Sequence, residues 1–100
     1  MAELGSLVSK VRSKNAGPFW LTIDIFCGNA ETFDRVRQAV KDDTVARLYG
    51  VDRQLLKRFE IASLNVIKFS VPRPVVQGTR ADRDMHGAGW ACLLEELPIV

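Results

Sequence analysis

Two cations, a hydroxyl and an amide are gathered in the run Arg12-Ser13-Lys14-Asn15-Ala16-Gly17-Pro18-Phe19, directly ahead of an apolar segment. Gly17 tolerates left-handed backbone and Pro18 fixes the entry to the next element, so the run reads as a loop over Arg12–Pro18. Such a loop presents N–H donors and positive charge to an anion. Arg12 would give bidentate contacts to a carboxylate or phosphate, Lys14 a point charge, and Ser13 and Asn15 hydrogen bonds. The alternative is a plain turn in which Asn15 and Gly17 take left-handed geometry and Ser13 caps the backbone.

A second group lies at Asp82, Asp84 and His86. His86 is the sole histidine, so any imidazole base must be this one, with Asp84 as its acidic neighbour. Alternate oxygen and nitrogen donors also suggest a metal loop, but no glutamate closes the set, and a solvated loop of Asp–Arg pairs is the better reading. Best of all, Asp82-Arg83-Asp84 reads as an interface element. Asp24 sits mid-strand beside Trp20 and Phe26; buried against a partner it would need a cation, and Arg12 and Arg73 are the candidates. An aromatic pair around an acid marks an interface rather than free surface. No Gly-rich nucleotide motif, no Ser-His-Asp set and no cysteine nucleophile with a base can be assembled. A self-sufficient enzyme is therefore the weaker idea.

These residues must be positioned by one small domain. The chain has 100 residues, of which 47% are hydrophobic, enough for a single modest core. With 14 cations against 12 anions the net charge is +2, too slight for the basic stripe that nucleic acid demands. Two cysteines, Cys27 and Cys92, are too few for an iron–sulfur cluster or cysteine-rich zinc site, and both read as small core residues in a reduced, cytoplasmic protein. No signal peptide and no membrane span is expected.

Leu4, Leu7, Val8 and Val11 fall at helical spacing, with a strand as the alternative. Phe19 to Cys27 alternates as a strand. Phe19, Leu21, Ile23, Ile25 and Cys27 share one face, while Trp20, Thr22, Asp24 and Phe26 share the other. Asn29 caps a helix from about Ala30 to Lys41, and Asp42-Asp43-Thr44 re-caps a shorter one, Val45 to Tyr49, stopped at Gly50. Asp52 caps a further turn through Gln54 and Leu55. Strands follow at Leu56 to Ile61 and Leu64 to Val71, the second with Lys68 and Ser70 opposite its apolar face. Residues 75–89 read as a long irregular loop, and Trp90 to Val100 returns to the body of the protein. The sum is an α+β sandwich, ferredoxin-like in topology, with an antiparallel sheet and helices on one face.

The segments R-S-K-N-A-G-P-F at 12–19, L-T-x-D at 21–24, R-L-Y-G at 47–50, P-R-P at 72–74 and D-R-D-x-x-G at 82–87 together resemble a family of stand-alone proteins of this size. That family is known only as a domain of unknown function. It looks like the small ferredoxin-fold domain at the C-terminus of acyclic-terpene-utilisation (AtuA-like) proteins. There an Arg-Ser-Gly-Asp-Lys-Gly loop stands in the place of Arg12–Gly17; here Lys14-Asn15 replaces the Gly-Asp-Lys portion. The resemblance implies that residues 1–100 form one AtuA-like small domain working with an AtuA-like large subunit. The implied complex is an oligomer of the lyase or hydratase type, handling an acyl-CoA or organic acid. In it Arg12, Ser13, Lys14, Asn15 and Gly17 would bind substrate, Asp84 and His86 would take part in chemistry, and Trp20, Asp24, Arg73 and Asp82 would form the interface. No metal or resident cofactor is expected; a coenzyme A thioester would enter only as substrate. Two alternatives stay open: a stand-alone homo-oligomeric enzyme binding a carboxylate with His86 as base, and a purely structural interaction subunit.

Overall fold

The computed structural model describes residues 2–17, 19–72 and 94–99. Strand β1 (Ala2–Glu3) leads into α1 (Leu4–Leu7), a single turn whose Leu4 is fully buried. The stripe Leu4-Leu7-Val8-Val11 thus divides: Leu4 and Val8 enter the core from the turn and its exit, while Val11 belongs to the next strand.

That strand, β2 (Lys10–Asn15), corrects the loop expected over Arg12–Pro18. Lys10, Arg12 and Lys14 alternate with Val11, Ser13 and Asn15, which is strand period, and the turn comes only after Asn15. Gly17 has φ +78°, a conformation that L side chains rarely adopt, and the Ala16 N–H closes the turn on the Trp20 carbonyl at 2.9 Å. β3 (Trp20–Phe26) then runs back antiparallel to β2.

Helix α2 (Ala30–Ala39) starts where Asn29 accepts the Thr32 N–H at 2.8 Å, and it buries Phe33 and Val36. It ends at Ala39, two residues before Lys41 and with Val40 as its C-cap, because α3 (Asp42–Tyr49) begins earlier than Val45. Asp42 and Asp43 lie within the first turn of α3, where their charges face its positive end, and Lys41 occupies the cap. Gly50 stops α3 at φ +67°. A 3-10 turn, Arg53–Leu55, is capped by Asp52.

β4 (Lys57–Ile61) and β5 (Val66–Pro72) form the second hairpin, joined by a 3-10 turn at Ala62–Leu64 that Asn65 closes with φ +54°. This turn takes up Leu64, so β5 starts at Val66. β6 (Pro98–Ile99) pairs with β1.

The main sheet has the order β2-β3-β5-β4, antiparallel throughout. Because β3 and β4 both oppose β5, they are parallel to one another, and α2 and α3 make the crossover between them. This split β-α-β unit is the heart of a ferredoxin-like sandwich, here flanked at β3 by the N-terminal strand β2. Leu21, Ile23, Ile25, Ile67, Phe69 and Val71 pack against Phe33, Val36, Val40, Val45 and Tyr49. Fully burying each large apolar side chain contributes roughly 1.5–3 kcal/mol, which fixes the register of the two central strands. Among the described residues no helix is long and apolar enough to cross a membrane.

Candidate functional site on the open sheet face

β2, β3 and β5 turn their odd-numbered residues toward the core side and their even-numbered ones to the opposite face, where Thr22 and Val66 are nonetheless buried. The register then aligns side chains in rows across the face. Lys10 lies opposite Phe26, which lies opposite Val66, itself opposite Ile61. In the next row Arg12, Asp24, Lys68 and Phe59 stand in order, and in the third Lys14, Thr22, Ser70 and Lys57. Trp20 and Pro72 complete the surface. Lys10, Arg12, Lys14, Lys57 and Lys68 therefore converge on one face, and Asp24 is the single acid among the described strand residues there.

The edge lysines lean inward. Lys10 Nζ lies 5.0 Å from the Phe26 ring centroid, reaching from β2 to β3, and Lys57 Nζ lies 5.9 Å from that of Trp20, reaching across β5. Both are cation–π contacts, and they hold positive charge above the central strands. Asp24 has the Arg12 and Lys68 positions on its two flanks, and its Oδ1 is buried with no hydrogen-bond partner among the described residues.

The residues singled out in the sequence are partly brought together. Arg12 and Lys14 share the open face, exposed, two positions apart on β2. Ser13 points the other way and is only 4% exposed, and Asn15 shares that buried side. Arg12, Ser13, Lys14 and Asn15 consequently do not form one cradle. Gly17 lies in the turn beyond them. Trp20 and Asp24 stand on the open face as expected, with Arg12 in register with Asp24. Arg73, Asp82, Asp84 and His86, together with Cys92 and the whole of 75–89, lie outside the described residues. The described residues contain no group of three side chains able to hold a metal ion.

Cys27 is 3% exposed, and burial pushes its thiol up from the ordinary value, so it is a core thiol rather than a nucleophile.

The contiguous run 12–19 does not disclose that Lys10, Lys57 and Lys68 share the face of Arg12 and Lys14. The signal was present in the alternation of β5, which already set Lys68 and Ser70 opposite the apolar side. What was lacking was the pairing of β4 with β5 and of β2 with β3.

A family model covers residues 4–97 and carries the description Domain of unknown function (DUF4387). The chain belongs to this family. No curated protein and no solved structure matches the chain. In this DUF4387 domain the matched span takes in the whole open face, from Lys10 to Pro72, so the cationic surface lies inside the family's unit and not on an appendage.

Proposed function

We propose that this protein is a non-autonomous small subunit that docks on an AtuA-like large subunit and helps form a site for an acyl-CoA or organic acid, in hydratase- or lyase-type catabolism. The observation that carries the reading is the convergence of Arg12 and Lys14 with Lys10, Lys57 and Lys68 on one sheet face against a single described acid. A face so charged favours an anion, and the sequence resemblance suggests which anion and which partner. The large subunit would hold the reacting part of the substrate, and the small one would close over it with Arg12 and Lys14. Asp84 and His86 are the side chains proposed to contribute chemistry at the junction, with Arg73 and Asp82 contacting the partner.

Recovery of the tagged chain from its native cell extract, with mass spectrometry of what accompanies it, tests this. A stoichiometric AtuA-like protein is the expected companion. Within that complex Arg12→Ala is expected to abolish turnover while the small subunit stays folded. A chain recovered alone as a defined oligomer, turning over carboxylates by itself, would overturn the reading in favour of a stand-alone enzyme.

A purely structural subunit is favoured by one further observation: Trp20 and Phe26 are half-buried and Phe59 is 48% exposed on the same face, an aromatic set suited to an interface. Under that reading Trp20→Ala breaks the complex, whereas Lys14 and His86 substitutions leave turnover intact.

A further inference from the structure

The row Lys14–Thr22–Ser70–Lys57 spans all four strands of the main sheet, with a lysine at each end and two hydroxyls between. At strand spacing the end Cα atoms are about 14 Å apart, a distance two lysine side chains close from opposite sides. Lys57 already reaches inward, since its Nζ stands over Trp20 on β3. The Thr22 hydroxyl donates to the Lys14 carbonyl at 3.4 Å, a long bond, and Thr22 is only 7% exposed, so Ser70 is the more accessible hydroxyl of the row.

The geometry points to a phosphoryl-binding seat formed by Lys14, Ser70 and Lys57, with Trp20 at its border. A phosphoryl group offers three strong acceptor oxygens and nearly two negative charges, which matches two point-charge ammoniums and a hydroxyl. A lone carboxylate is suited instead to the planar fork of Arg12, and that residue is in the neighbouring row, in register with Asp24. The ligand class is a small phosphate or pyrophosphate ester. The inference deepens the small-subunit reading and rests on it for where the rest of the ligand lies, yet the seat belongs to this chain alone.

Lys57 must leave the Trp20 ring to meet the phosphoryl group, and this gives the readout. The full chain carrying Trp90→Phe, so that Trp20 is its single tryptophan, is titrated with inorganic pyrophosphate at low ionic strength. Trp20 emission is followed together with backbone amide shifts. The expected result is a saturable emission change, with Thr22 and Ser70 amides moving while those of Arg37 and Arg53, remote from this face, stay still. Lys14→Gln and Lys57→Gln should each weaken binding about tenfold, and Lys10→Gln, at the far end of the face, less than about twofold. Equal losses for all three lysines, or a change that never saturates, would overturn the seat as diffuse counter-ion attraction. Succinate binding as tightly as pyrophosphate would overturn the phosphoryl class. A single-stranded oligonucleotide binding more tightly, through all the face cations alike, would replace the seat with a nucleic-acid surface. Failure of pyrophosphate beside a successful recovery of the large subunit removes the seat and leaves the subunit reading standing.

Discussion

Arg58 Nη1 donates to the Val40 carbonyl oxygen at 2.6 Å, joining β4 to the end of α2 across 18 residues of chain. The same guanidinium donates through Nη2 to the Arg37 carbonyl at 2.7 Å, through Nη1 to Asp42 at 3.1 Å and through Nε to Glu60 at 2.9 Å. Its carbon lies 5.4 Å from the Phe69 ring centroid. The last carbonyls of a helix have no partner of their own, and the helix dipole makes that end negative. One planar cation serves both needs and ties α2, α3 and the sheet together.

Arg58→Lys should therefore not be conservative. An ammonium cannot reach two separate carbonyls and two carboxylates in a fixed fork, and the Arg58 side chain is only 15% exposed. The expected loss is about 2 kcal/mol, read as a lower urea midpoint with unchanged slope. A loss under about 0.5 kcal/mol would class Arg58 with ordinary surface residues.

Asn29 supports the start of the same helix by accepting the Thr32 N–H. Asn29→Ala should cost about 1 kcal/mol and Asn29→Asp almost nothing, since aspartate caps equally well. Equal losses in both, measured by thermal unfolding, would show that the amide makes some other contact.

Gly17 and Gly50 both have positive φ, and a Cβ added at either would meet nothing within 4 Å. Any cost of Gly50→Ala is then backbone strain alone, about 1–2 kcal/mol. Gly50→Asn should recover part of it, because asparagine visits this conformation more readily. A neutral Gly50→Ala in chemical denaturation would show that the turn relaxes.

Much of this fold was legible. The alternation in β3, the Asn29 and Asp52 caps and the Gly50 stop are local signals, each set by residues within four positions of one another. β2 was not legible, because Arg12-Ser13-Lys14-Asn15 looks like turn chemistry when read alone. Its alternation carries strand period, but only Val11 on the inner side is apolar, so the pairing with β3 decides it. The site suffered in the same way. Lys57 and Lys68 are far from Arg12 in sequence and become its neighbours only through the order β2-β3-β5-β4. Arg58 has no local signal in the sequence, since the carbonyls it serves belong to a different element.

Cys27 gives a test of the core. In a chain carrying Cys92→Ser, so that Cys27 is the sole thiol, reaction with a disulfide reagent near neutral pH should proceed only as fast as the protein opens. Burial raises the folded thiol's pKa. The resulting stability is present below the ordinary thiol pKa and is lost as pH rises through the raised value. Cys27→Ala should remove that alkaline component from the stability profile. Immediate modification in the absence of denaturant would place the thiol at the surface.

Asp24 concerns the open face itself. It stands in register between Arg12 and Lys68 without an ion pair to either among the described residues, and opposite charges directly across strands contribute roughly 0.2–1 kcal/mol each. Asp24→Asn keeps the shape and removes the charge, leaving five cations with no described acid among them. It should destabilise by about 1 kcal/mol at low ionic strength, and the difference should shrink on adding salt, because repulsion among exposed cations is screened. Asp24→Lys should do worse under the same conditions. If Asp24→Asn instead stabilises the chain at both salt concentrations, the lone buried Oδ1 costs more than its neighbours return. The acid would then be held in place by something other than the fold, namely whatever the face binds.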